Sequence, residues 1–318
     1  MSMAIGISPL VDFAFKLVLG NPEHSGITIH FLNSILVGQP GITQVEILNP
    51  FLGKEFDDDK LSILDIRATD ERGRLLNIEM QTSLPAGMAQ RLTYYVSSLY
   101  VSQLGEGHQY SELRPAISIC VLSQAMFTEP PALHLDFRLR ENSTARTLTD
   151  DLQIHLLQLN HLHVTAENVY DASPAERWAY FLQNADKLTS AEISRLFPDQ
   201  EFSEAAGVLE MISRTPEQLM AYNARLKFQR DEVARILQAR QEGREEGREE
   251  GREEGRQEGR QEGEEIGEAR GEARGRIVIL QELLGQRIWT AEDFAKYDAA
   301  QLNALANQLQ QQLRARNT

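Results

Sequence analysis

The order of segments predicts a mixed α/β sheet with helices packed against it. Three observations carry this. Two alternating runs surround a glycine turn at residues 61–81. A heptapeptide apolar but for one serine stands at 116–122, Ala-Ile-Ser-Ile-Cys-Val-Leu. Apolar residues at helical spacing precede and separate these runs.

The elements follow in order. Leu10, Phe13, Ala14, Leu17 and Val18 have helical spacing, with Ser8 as the expected N-cap and Pro9 at the first helical position. Gly20-Asn21-Pro22 ends that helix, and a second is expected from Gly26 to Leu36. A short strand is expected at Val45–Leu48. The hairpin comes next, turning at Asp70-Glu71-Arg72-Gly73-Arg74 with Gly73 suited to positive φ. A three-residue loop at 71–73 pairs 70 with 74, 67 with 77 and 65 with 79. Leu64, Ile66, Ala68, Leu76, Ile78 and Met80 then share an apolar face. Asp65, Arg67, Asn77, Glu79 and Gln81 share a polar one. A helix from Ala86 to about Leu104 follows, then a buried strand at 116–122 and another at Leu152–Leu159. Residues 172–239 read as helices.

Composition excludes several classes. The 318 residues carry a net charge of -15, and residues 1–125 alone carry -5. Such a chain lacks the basic stripe that releases counterions on nucleic acid, so DNA affinity should be weak and dependent on metal and salt. Cys120 is the single cysteine, which rules out an intramolecular disulfide and a four-cysteine zinc site. A reducing, cytoplasmic setting is expected. No apolar run is long enough for a membrane helix, and the start lacks the features of a signal peptide.

The hairpin register sets Asp65 directly opposite Glu79, with Cβ atoms about 4.5–5.5 Å apart. Two carboxylates at that distance repel unless a cation or proton sits between them. Their hard oxygens suit Mg²⁺ or Mn²⁺, which can polarise a phosphate and activate a water. Gln81 shares the face and could orient that water or touch a phosphate. The competing reading is a solvated outer sheet face on which two acids happen to align.

Asp65 followed after a hairpin by Glu79-Met80-Gln81 resembles the PD-(D/E)XK nuclease superfamily. The chain more closely resembles the recombination-promoting nuclease (Rpn) family, whose members are also described as transposases. Asp12-Phe13-Ala14-Phe15-Lys16, Leu61-Ser62-Ile63-Leu64-Asp65, Asn77-Ile78-Glu79-Met80-Gln81 and the stretch Arg91 to Tyr95 carry the resemblance, over roughly residues 8–160. It implies a restriction-endonuclease-like core and metal-dependent DNA cleavage, with Asp65 and Glu79 on the metal. Gln81 stands where the superfamily usually has lysine, and Leu64 replaces the proline of its name. Lys16 or Arg91 is expected to supply the missing positive charge. Asp12 and Lys16 join the catalytic candidates, the alternative being a surface ion pair at i,i+4. Arg91 and Tyr95 are expected to bind substrate. The implied role is recombination or action against foreign DNA. The alternatives are a catalytically degenerate nuclease fold that recruits partners through its C-terminal coil, and a nuclease acting on RNA.

Other signals are weaker. His155, His161 and His163 match no common metal spacing and read as surface or core histidines. Cys120 reads as a core residue, and Trp178 and Phe181 as core of the helical region. No glycine-rich phosphate loop is present.

Nine glycines stand every fourth residue from Gly243 to Gly275 in Gly-Arg-Glu-Glu units. Helix is expected, although each interior glycine costs about 1 kcal/mol relative to alanine. A solvated spacer is the alternative. Two such helices meeting along the glycines would supercoil right-handed. Ile277–Leu284 and Phe294–Leu309 read as amphipathic helices, with Thr290 capping the second. Their apolar faces predict a homodimer through the C-terminal region. The expected division is a nuclease-like domain at 1–165, a helical region at 166–240, the repeat at 241–276 and the terminal helices at 277–318.

Overall fold

A computed structural model describes residues 3–48, 66–107 and 109–316. The chain forms two compact units, residues 1–236 and 237–318. In the first, six strands form one mixed sheet: β1 (Val45–Ile47), β2 (Ile66–Asp70), β3 (Leu75–Gln81), β4 (Ala116–Leu122), β5 (His134–Arg140) and β6 (Thr147–Gln158). Their spatial order is β1-β2-β3-β4-β6-β5. The central trio β3, β4 and β6 is parallel, and the outer strands run antiparallel to their neighbours.

Helices cover both faces. α1 (Asp12–Leu19), α2 (Ser25–Ile35), α4 (Pro174–Asn184), α5 (Ser190–Leu196) and α6 (Gln200–Arg214) build the larger core. Ile66, Ala68, Leu76, Ile78, Met80, Ile117, Ile119, Val121 and Leu157 of the sheet pack into it with Phe13, Phe31, Trp178, Phe181 and Phe202. α3 (Met88–Val101) lies on the other face, where Met88 and Leu92 meet Cys120, Leu122 and Leu156. Trp178 and Phe181 therefore belong to the sheet's own core. Trp178 Nε1 donates to His30 Nδ1 at 3.0 Å, tying α4 to α2.

The hairpin has the expected register, with Ile66 opposite Ile78 and Arg67 opposite Asn77. Gly73 adopts φ +73°. Asp70 closes the turn: Oδ1 accepts from the backbone N–H of Arg72 (3.0 Å) and Arg74 (2.9 Å), and Oδ2 accepts from Arg74 Nε (2.5 Å). Both side chains are buried, at 0% and 7% exposure. Arg74 also donates to Gln39 Oε1 at 3.1 Å and to the Pro40 carbonyl at 3.3 Å.

Several expectations need correction. Ser8 does not cap α1: the helix starts at Asp12 after Val11, which has no side-chain cap bond. Ser8 Oγ instead accepts from Leu10 N–H, and its own N–H goes to the Tyr222 hydroxyl at 3.0 Å. Ser8-Pro9 is a turn tied to distant chain. β6 begins at Thr147, five residues before the expected start. β5, which no sequence signal had marked, lies along its outer side. Its side chains are half-buried or exposed, because only β6 flanks it.

α7 (Pro216–Leu284) is one helix, and its first turns belong to the first unit, where Tyr222 is buried. In the second unit the glycine repeat is helical, with side chains exposed over residues 241–268, and a Cβ built on any glycine from Gly243 to Gly275 meets nothing within 4 Å. The end of α7, α8 (Ala291–Ala295) and α9 (Ala299–Arg316) share a small core of Ala273, Ile277, Phe294, Leu302, Ala306 and Leu309. Thr290 forms a capping box with Asp293 at the start of α8. Part of the apolar surface expected to seek a second copy is thus used within the chain. Ile266, Ile279 and Leu283 remain exposed.

Candidate active site

Strand alternation turns Asn77, Glu79 and Gln81 to the face that α3 covers. This face is not solvated as a bare polar sheet would be: Glu79 is 0% exposed and Asn77 4%. Glu79 lies on β3 with Cys120 as its Cα partner in β4. A carboxylate there is costly to hold charged unless a cation or donors compensate it.

The surroundings are polar and undersaturated. Both amide atoms of Asn77, Nε2 of Gln81, Oγ of Ser118 and Nε of Arg91 are buried without a hydrogen-bond partner among the described residues. Ser118 is the Cα partner of Asn77 on β4, so their atoms belong to one layer beneath α3. Each such buried group costs about 1–3 kcal/mol until something pairs with it. A layer of this kind suits hydrated ions or polar ligands better than dry packing.

α3 begins after Gly87, whose φ of +77° turns the chain back over the sheet. It brings Arg91 and Tyr95 to this face, one helical turn apart. The Arg91 guanidinium lies 5.3 Å from the Tyr95 ring centroid, and Tyr94 packs against Tyr95 at 5.9 Å. A cavity of about 190 Å³ adjoins, lined by Arg67, Asn77, Tyr95, Ser98, Leu99 and Ser102.

Asp12 and Lys16 lie on α1, in the opposite layer, 3.7 Å apart. Lys16 is 4% exposed and Asp12 13%, so this is not a solvated surface pair. One turn beyond Lys16, Gly20 abuts β2: a Cβ there would lie 3.1 Å from Ile66 Cγ1. The end of α1 therefore reaches the strand residue that follows Asp65. Asp65 itself, like Leu61–Leu64 and Asp57–Asp59, lies outside the described residues.

The three histidines do not converge. His155 is 2% exposed, with Nδ1 3.0 Å from His134 Nε2 and Nε2 3.3 Å from Gln153 Oε1. Burial pulls the His155 pKa down to about 4, partly opposed by Asp136. His161 donates to the Phe127 carbonyl, and His163 is exposed. Among the described residues no group of three His, Cys, Asp or Glu could hold a metal ion. That does not weigh against Mg²⁺ at the hairpin, since it takes only one or two carboxylates and keeps several waters. Glu79 beside orphaned polar groups fits such an ion.

Sequence reading missed Ser118 and the full part of Asn77. Ser118 could have been found as the lone polar residue in the apolar run 116–122. The family model of PD-(D/E)XK nuclease family transposases matches residues 9–239. No curated protein and no solved structure matches the chain.

Proposed function

From the premise that the chain belongs to the PD-(D/E)XK nuclease transposase family, we propose that it is a metal-dependent endonuclease that hydrolyses phosphodiester bonds of DNA. The fully buried Glu79, in a hairpin of fixed register, carries this reading. The sequence pattern expects Asp65 opposite Glu79. These two carboxylates would hold Mg²⁺ or Mn²⁺. When bound, the ion polarises the scissile phosphate and lowers the pKa of a water. Gln81, on the same face, would orient the attacking water or a phosphate oxygen. Arg91 would offset charge on the phosphate in place of the usual lysine, held against Tyr95, which also borders the substrate. The Asp12–Lys16 pair, on α1 in the opposite layer, would act from beyond the end of β2. Because Lys16 is buried, its charge would act at short range in a low-dielectric setting.

The role would be recombination or action against foreign DNA, in the cytoplasm. No helix among the described residues is long and apolar enough to cross a membrane. A homodimer would use the C-terminal region, where Ile266, Ile279 and Leu283 are exposed. Light scattering of the full chain beside Ile279→Glu/Leu283→Glu tests that, a single unchanged mass arguing against it. One observation favours a second reading, a degenerate nuclease fold that recruits partners. Gln81 cannot supply the charge of a lysine.

Plasmid nicking with Mg²⁺, Mn²⁺ or EDTA, beside Asp65→Ala, decides between them. Metal-dependent nicking that vanishes in the variant supports the nuclease. Folded protein that never nicks supports the recruiter.

A further inference from the structure

We propose that β5 is the docking edge for a second copy of this chain. Two β5 strands pair antiparallel about a two-fold axis centred on Phe137 and join the two sheets into one. The contact is separate from the C-terminal one and does not depend on the nuclease reading.

β5 ends the sheet, and among the described residues no strand lies beyond it. The Leu133 carbonyl accepts from the Gln158 N–H at 2.7 Å, which sets the phase of the ladder with β6. Bonded and non-bonded pairs alternate in an antiparallel ladder, so Leu135 and Phe137 bond to β6. The N–H and C=O groups of His134, Asp136 and Arg138 then point outward. β5 runs unbroken from His134 to Arg140, because the extra residues of the irregularity belong to β6. Such an edge is a template for another strand.

The outer half of this edge is also apolar on one face. Leu135 packs on the core beneath α3. Strand alternation puts Phe137 and Leu139 on that same face. They are 40% and 46% exposed, and Phe127 lies against Phe137 with ring centroids 5.4 Å apart.

Charge selects the occupant and the register. Edges guarded against pairing carry proline, or charges such as lysine that repel a like edge. β5 has neither residue, and its Asp136 and Arg138 have opposite signs. Antiparallel self-pairing centred on Phe137 sets Asp136 opposite Arg138 of the second copy, and Arg138 opposite its Asp136. Leu135 then faces Leu139, and Phe137 faces Phe137 across the axis. His134 faces Arg140, and burial holds the His134 pKa below its ordinary value, which favours the neutral ring. Centring on Asp136 instead would oppose two aspartates, and centring on Arg138 two arginines. Like charges directly opposite destabilise a strand pair. The Phe137-centred register also brings the outward groups of Asp136 and Arg138 together, so each such pair exchanges both backbone bonds. Arg138 Nε and Nη1 bond to Asp136 and Asp150 of their own chain. The guanidinium has a further nitrogen for Asp136 of the second copy. Complementarity of an edge with itself is what a closed two-fold contact requires.

Sedimentation velocity of the full chain over a concentration series tests this. The background is Ile279→Glu/Leu283→Glu, so that the C-terminal contact and this one fail separately. Asp136→Lys and Arg138→Glu are run alone and mixed, with melting temperatures confirming folding. Alone, each variant opposes like charges at both pairs and should weaken dimerisation at least about tenfold. Mixed, each new charge meets its opposite on the other variant, and dimer should return to near the affinity of the background. A monomeric background, or a mixture no more dimeric than its parts, overturns the inference.

Phe137→Cys forms the second arm. A non-bonded antiparallel pair has Cα atoms about 4.5 Å apart, within disulfide range. Mild oxidation should link Phe137→Cys into a covalent dimer, while Cys120 is buried. Leu139→Cys, which would face Leu135, should stay unlinked. Equal linking at both positions, or none at Phe137→Cys, overturns the inference. Both arms stand whether or not the protein cleaves DNA.

Discussion

Asp70→Ala tests whether the hairpin turn is what fixes the site. The Asp70 carboxylate accepts two backbone N–H bonds and the Arg74 guanidinium, all at 2.5–3.0 Å. Both side chains are buried. Truncation leaves the Arg74 charge buried with Gln39 and the Pro40 carbonyl as its remaining side-chain hydrogen-bond partners among the described residues. Breaking a buried pair on one side costs about 3–5 kcal/mol. In a unit of this size, about 2–4 °C of melting temperature corresponds to each kcal/mol. The expected fall is about 6–20 °C by thermal circular dichroism. Asp70→Asn keeps an acceptor for the turn N–H groups and should lose less. The double variant Asp70→Ala/Arg74→Met should be more stable than the sum of its singles by at least about 1 kcal/mol, because it leaves no unpaired charge. Strict additivity, or a loss below about 1 kcal/mol for Asp70→Ala, would refute the reasoning.

Further outcomes are expected. Glu79→Gln keeps the shape of the side chain, so the metal-free protein should remain folded with a cooperative melt. The rise in melting temperature on adding Mg²⁺ or Mn²⁺ should vanish, and calorimetry checks both. His155 gives a pH dependence. Its folded pKa of about 4 lies below the unfolded value, so the unfolded chain takes up the proton first as pH falls. Stability should therefore be intact above about pH 6.5 and drop by up to about 3 kcal/mol toward pH 4. His155→Gln should flatten urea midpoints over that range, although His134, Asp136 and Arg138 face the same ring. Replacing Gly247, Gly251 and Gly255 by alanine should deepen the helical ellipticity, since each Cβ meets open space. An unchanged spectrum would contradict a solvated helix there.

The hairpin was legible because strand alternation and turn chemistry are local: Gly73 and the even apolar positions fix the register together. The run at 116–122 gave β4 to the residue, since near-continuous apolarity marks a strand buried on both faces. The catalytic candidates were legible as a pattern of residue types. Three things were not. Ser8 looked like a cap because capping residues and turn residues are the same, and only packing against Tyr222 separates them. β5 leaves its apolar residues half-buried or exposed, so its place along β6 depends on a partner far away in sequence. The polar face of the hairpin read equally well as solvated. Whether Glu79 meets water depends on where α3 lies, and the sequence holds no local trace of that. Residue order determined the strands, their register and the acids available. Tertiary packing alone decided that Glu79 is buried, that Asn77 and Ser118 lie together with no side-chain hydrogen-bond partner among the described residues, and that Arg67 lines a cavity.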